Sequence, residues 1–189
     1  MFKVIEPQYH CFNKLSIDRF MELIHMYSTD LSEHEKNKAT FVIAEDRADG
    51  VHGGAFLYKK RLDEFPPELI NALSDFLLPA EWVWDCIVTL SIDDDSILYK
   101  MNEVDRFCHI FYRNLYNRLK LLGKNEDVGF LCISLFSAEY IYMEEFISWP
   151  YILELKPQES SDGLFHGILP LIGSQCEAYQ LQIHPAVPT

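Results

Sequence analysis

The residues best suited to chemistry in this chain lie in and after one apolar run. Asp85 interrupts WVWDCIVTLSI (Trp82 to Ile92), flanked by Trp82 and Trp84. A carboxyl among aromatics loses hydration, which disfavours its charged form and makes it a candidate general base. The plainer reading is an Asp on the more polar face of a sheet, bonded to a neighbouring N–H. Tyr99, His109 and Tyr112 offer an acid pair near the start of the next helix, although such residues on helix surfaces usually pack or face solvent. His166 follows Ser160, Ser161 and Asp162, the residue types of a hydrolytic triad. No G-x-S-x-G elbow accompanies them, and a loop is a poor platform for a nucleophile.

Phosphate binding is disfavoured where it would be expected. No glycine occurs from Ala55 through Leu122, and the approach to the helix at Val104 carries Asp93, Asp94, Asp95, Glu103 and Asp105. A helix N-terminus binds an anion when bare N–H groups reach it closely; carboxylates there repel it. The cysteines (Cys11, Cys86, Cys108, Cys132, Cys176) form no CxxC pair, so reduced thiols are expected. His10–Cys11 and Cys108–His109 are adjacent pairs without a second pair at zinc spacing, so no metal is expected. No cofactor is expected either.

These residues are positioned by alternating patterns. Ser16 is expected to cap a helix bearing Ile17, Phe20, Met21, Ile24 and Tyr27. Residues 28–38 are polar and read as loop. ATFVIAE (Ala39 to Glu45) and VHGGAFLY (Val51 to Tyr58) form a hairpin about Asp49–Gly50. Lys59, Lys60 and Arg61 read as a solvated turn beside Asp63 and Glu64. Pro66–Pro67 starts a helix with Leu69, Leu73, Phe76 and Leu77. In the run 82–92 every even position is apolar, and Val83 and Ile87 partly cover the other face, which marks a central strand. Asn102 is the expected cap of a helix to Leu122, with Val104, Phe107, Cys108, Phe111, Leu115 and Leu119 on one face and Gly123 as its stop. A strand at 128–136, a helix at 137–147 and strands at 151–155 and 164–172 complete the pattern. A long helix between strands 82–92 and 128–136 implies a parallel crossover. The expectation is one α/β domain over residues 1–180, a mixed central sheet with helices on both faces, and a loose tail at 181–189.

Composition narrows the function. The 189 residues carry a net charge of −13, with 49% hydrophobic and 14% aromatic content. Nucleic acid binding draws on clustered Lys and Arg, so nucleic acid is not an expected partner, while a basic protein surface is. No apolar run reaches the roughly 18 residues of a membrane span, and MFKVIEPQYH has no leader pattern. A cytoplasmic protein without membrane insertion is expected.

The layout resembles the GCN5-related N-acetyltransferase (GNAT) fold over residues 25 to 172, especially its acyl-homoserine-lactone (autoinducer) synthase branch. In that branch's G-C-x-R-L strand pattern, Gly53, Gly54, Ala55, Phe56 and Leu57 stand here, with Phe56 in place of the arginine. In W-E-L-S-R-F, Trp84, Asp85, Cys86, Ile87, Val88 and Thr89 stand, so Val88 replaces the second arginine. FISWPYILEL (Phe146 to Leu155) is similar to the branch's late helix-to-strand passage. The resemblance implies a GNAT scaffold. An Arg offers a fixed fork of donors that Phe56 and Val88 lack, and the Q/R-x-x-G-x-G/A loop is absent before Val104. Eroded catalysis is therefore implied. Size, acidity and surplus aromatics are similar to the LvgA-type adaptor of Dot/Icm (type IVB) secretion.

The reading that results is a non-catalytic protein-binding adaptor or chaperone, of the kind that serves a bacterial type IV secretion coupling complex. Its expected partner-binding residues are Tyr112, Tyr116, Tyr140, Tyr142, Trp149 and Tyr151, because aromatics anchor interfaces. The alternative is a divergent autoinducer-synthase-like acyltransferase using Asp85, with Tyr99, on an acyl carrier protein or acyl-CoA donor.

Overall fold

Alternating side chains along extended segments build the central sheet. The computed structural model describes residues 2–25, 31–46, 50–73, 82–91, 104–126, 128–135, 153–156 and 163–171. Among these, the strands are β1 (Phe2–Ile5), β2 (Thr40–Asp46), β3 (Gly50–Arg61), β4 (Trp82–Leu90), β5 (Phe130–Leu135), β6 (Leu153–Leu155) and β7 (Phe165–Pro170). The helices are α1 (Lys14–His25), α2 (Glu33–Lys38), α3 (Pro67–Leu73) and α4 (Val104–Glu126), with 3-10 turns at Pro7–Phe12 and Leu62–Glu64.

The sheet order is β1-β2-β3-β4-β5-β7-β6. Pairs β1–β2, β2–β3, β5–β7 and β7–β6 are antiparallel. β3 and β4 also run oppositely. The Ser91 N–H donates to the His52 carbonyl, whereas Lys60, late in β3, meets Asp85, early in β4. The remaining neighbours, β4 and β5, are joined through α4, the connection a parallel pair requires. The sheet is mixed, in a GNAT-like α/β arrangement.

Packing divides the chain into two units, residues 1–58 with 86–116 and residues 59–85 with 117–189. In the first, Phe20, Met21 and Ile24 of α1 pack on Ile5, Phe41, Ile43 and Phe56. Phe2 points the other way along β1 and meets Phe111 of α4 at 5.3 Å. The strand's period of two thus feeds a helix on each face. In the second unit, Leu62, Phe65 and Leu69 pack on Val83, Phe130, Cys132 and Ile168. Along β4, Trp84, Cys86 and Val88 are buried, as the alternation predicts; Trp82 is exposed.

Several expectations need correction. Ser16 is no cap: α1 begins at Lys14, and the buried Ser16 hydroxyl donates to Glu45 at 2.7 Å. The supposed loop at 28–38 contains α2, opened by a capping box between Ser32 and Glu35. Gly123 does not stop α4, which continues to Glu126. A Cβ at Gly123 would sit 2.8 Å from the Val128 carbonyl oxygen and 2.9 Å from the Leu171 Cβ. This glycine serves close packing. The expected cap Asn102, the helix at 137–147 and the turn residue Asp49 lie outside the described residues.

Candidate functional site

Strand β3 does not end at Tyr58; it runs on through Arg61, and each base of the supposed solvated turn has a partner. The Lys59 ammonium donates to the carbonyl of Glu126, the last residue of α4, and lies 5.6 Å from the Trp82 ring. A cation there satisfies an orphan carbonyl and complements the helix dipole. Arg61 forms two hydrogen bonds to Asp63, at 3.1 and 2.8 Å. These bonds hold the Asp63 carboxyl below its usual range.

Lys60 reaches Asp85. Its Nζ donates to Oδ2 at 2.6 Å, with about a quarter of each side chain exposed, and it lies 5.8 Å from the Phe65 ring. The partner of Asp85 is therefore an ammonium from the adjacent strand, not the backbone N–H expected. A short, charge-assisted contact of this kind outweighs a neutral one. Either substitution removes this charge-assisted bond between two partly buried groups, so Lys60→Met and Asp85→Asn should each lower stability by about 1 kcal/mol. The double variant should lose clearly less than the sum in urea denaturation. Additive losses would mean that the pair contributes nothing.

Register places a second polar pair on the same face of this unit. Ser134 stands directly opposite His166 across β5 and β7, with Oγ and Nδ1 3.0 Å apart. His166 is buried and Ser134 half-buried. Ser134 shares its face with Phe130 and Cys132, and His166 shares that face with Ile168. Asp85 follows Val83 by one strand period. Val83, Phe130, Cys132 and Ile168 all belong to the cluster under α3. Asp85, Lys60, Ser134 and His166 thus border one apolar floor. On α3 itself, one carboxylate oxygen of Glu68 is buried with no hydrogen-bond partner among the described residues. The set comprises a carboxylate, an ammonium, a hydroxyl and an imidazole, which can take a proton, give one and face a developing oxyanion.

Sequence reasoning grouped His166 with Ser160, Ser161 and Asp162, which lie outside the described residues; Ser134 was missed. Its signal was a hydroxyl inside the apolar run VGFLCISLF. Tyr99 also lies outside the described residues. His109 is exposed on α4, while Tyr112 is half-buried with its ring edge-on to Phe111 at 5.1 Å. Tyr112 and Tyr116 are one turn apart, both half-buried. Tyr140, Tyr142, Trp149 and Tyr151 fall outside the described residues. Phe56 and Val88, which stand where the autoinducer pattern has arginines, are both buried. No metal-ligand cluster and no helix long and apolar enough to cross a membrane occur among the described residues.

No protein-family model and no curated protein sequence matches this chain. Solved structures do. FeeM, an N-acyl amino acid synthase from uncultured soil microbes, matches with a TM-score of 0.53 at 10% identity, over 90% of each chain. Arabidopsis thaliana NAA60 in complex with acetyl-CoA matches with a TM-score of 0.50 at 8% identity, over 90% of this chain and 97% of that one. A CoA-dependent acyl-homoserine lactone synthase, MesI, matches with a TM-score of 0.49 at 11% identity, over 100% and 97%. At such identities the likeness is one of fold. The chain has a GNAT-like α/β fold.

Proposed function

We propose that the chain is a divergent N-acyltransferase acting on an acyl thioester of coenzyme A or of an acyl carrier protein. The observation that carries this reading is the pairing of Lys60 with Asp85 and Ser134 with His166 around one apolar floor. The fold supports it, since FeeM is an N-acyl amino acid synthase and NAA60 is in complex with acetyl-CoA. These neighbours favour the enzyme over the adaptor first read from the sequence.

The chemistry asks little of the protein. An amine nitrogen attacks the thioester carbonyl, and its proton passes to the His166 imidazole or the Asp85 carboxylate. The oxyanion faces the Lys60 ammonium and the Ser134 hydroxyl. The carbon–sulfur bond breaks and the thiolate leaves, taking a proton. Preorganised donors of this type supply about 3 kcal/mol each to such a step. With arginines absent at positions 56 and 88 and carboxylates before Val104, grip on the donor comes from its acyl chain more than from its phosphates.

Titration calorimetry with acetyl-CoA and long-chain acyl-CoA tests the reading, together with thiol release in the presence of amines. Micromolar binding of the longer thioester and amine-dependent release are expected. His166→Gln and Asp85→Asn should slow release at least about 100-fold, the scale of a lost general base, while the thioester still binds and thermal unfolding stays cooperative.

The acidic surface, net charge −13, and the neighbouring Tyr112 and Tyr116 favour the adaptor as a second reading. If no thioester binds, and the chain is recovered from its source cell in a stable complex that Tyr112→Ala with Tyr116→Ala weakens, the adaptor reading replaces the enzyme.

A further inference from the structure

One wall of the first unit carries charges that have no ion pair among the described residues. The turn at Pro7–Phe12, helices α1 and α2, and β2 enclose an open cleft of about 510 Å³, a volume that suits a small ligand. Along α1, Lys14, Asp18 and Glu22 repeat at the four-residue spacing that places side chains above one another. Ile17 and Met21 form the adjoining row, an apolar floor backed by the buried Phe41 of β2.

The opposite wall is already neutral. Lys36 and Glu33 of α2 bind each other at 2.9 Å. His10 is committed through Nε2 to the Ala39 carbonyl at 3.0 Å and packs against Phe41. By contrast, the side chains of Lys14, Asp18 and Glu22 have no ion pair or hydrogen bond among the described residues. The uncommitted charged lining is therefore one ammonium and two carboxylates beside an apolar floor, with the Asn37 amide and the Cys11 thiol as neutral neighbours.

That combination excludes most small ligands. Two carboxylates repel a phosphate or nucleotide. A fatty acid would meet one Lys against two acids. No cluster of metal ligands is present among the described residues. A ligand that answers both signs of charge and fills the floor is a zwitterion with an apolar side chain.

We propose that this cleft binds an α-amino carboxylate with a bulky apolar side chain. The ligand's carboxylate faces Lys14, its ammonium faces Asp18 and Glu22, and its side chain lies against Ile17 and the edge of Met21, with Phe41 buried behind them. The proposal concerns binding only and stands independently of the acyl-transfer reading.

Calorimetry on the intact chain with L-phenylalanine, phenethylamine and 3-phenylpropionate separates the terms. L-Phenylalanine should bind, with each singly charged analogue at least about tenfold weaker, as expected for losing one charge-assisted contact. Lys14→Gln should make L-phenylalanine and phenethylamine bind alike. Asp18→Asn with Glu22→Gln should do the same for L-phenylalanine and 3-phenylpropionate. All three positions are exposed, so these variants should keep the parent's thermal unfolding. Cys11, exposed and lining the cleft, provides a local reporter. Its maleimide labelling, read by peptide mass, should slow when L-phenylalanine is bound. Absence of binding, equal binding of the three compounds, unchanged discrimination in the variants, or binding without protection of Cys11 would each overturn the proposal.

Discussion

Gly54→Ala should destabilise the protein by at least about 3 kcal/mol, far beyond an ordinary glycine-to-alanine change. Gly54 has φ +151°, a region L side chains rarely adopt, and a Cβ there would sit 2.0 Å from the Val42 carbonyl oxygen. That oxygen is held within β2, whose Ile43 pairs with Gly54 itself, so it cannot yield like the end of a flexible side chain. Strain and overlap each cost about 1–3 kcal/mol, and here they act together. Gly53→Ala offers the comparison. Its Cβ would lie 2.4 Å from the Thr89 carbonyl oxygen, without the unusual φ, so its loss should be smaller. Urea denaturation of both variants measures this. A loss below about 1 kcal/mol for Gly54→Ala would mean the strands separate easily, and the close approach would lose its significance. Because the two glycines have this backbone cause, loss of thioester binding in a Gly54 variant would report damage to the sheet, not a blocked site.

Strong periodicity explains what could be read in advance. β4 was legible because its alternation persists through Trp84, Cys86 and Val88, and α4 because Cys108, Phe111, Leu115 and Leu119 recur at helical spacing. Shorter elements escaped. β1 offers only four residues, FKVI, and α2 has a capping box but no buried residue. A helix without an apolar stripe looks like loop to any reading based on hydrophobic period. The lysines misled differently. Lys60 looked solvated because its partner, Asp85, lies on the next strand of the sheet. The candidate site was half legible for the same reason. Asp85 stood out as a polar residue in an apolar run. The pairing of Ser134 with His166 depends on the β5–β7 register, which neither strand specifies alone. Periodicity reveals which face a residue occupies; it does not reveal which residue stands opposite.

Phe56→Arg restores the residue type of the autoinducer strand pattern and should nonetheless unfold the protein. Phe56 is 2% exposed, and its ring packs edge-on against Phe41 at 5.6 Å. Phe41 in turn meets Phe20 at 6.1 Å and His10 at 5.3 Å. A guanidinium cannot be neutralised by losing its proton, so it must be paired or reach water. Pairing is blocked by register. Position 56 stands opposite Phe41, whereas Glu45, further along β2, already accepts the Ser16 hydroxyl and faces Lys3 at 3.6 Å. Loss of the ring's packing alone costs about 3–5 kcal/mol, and an unpaired buried charge adds several more. The sum approaches the whole stability of a domain this size, about 5–15 kcal/mol. Phe56→Leu, which keeps the apolar character, should lose only about 1–2 kcal/mol and remain folded. Circular dichroism on heating distinguishes the two variants directly. If the arginine variant folds within about 1 kcal/mol of the parent, position 56 opens to solvent or to a ligand, and the sheet here keeps the family's site instead of a sealed core.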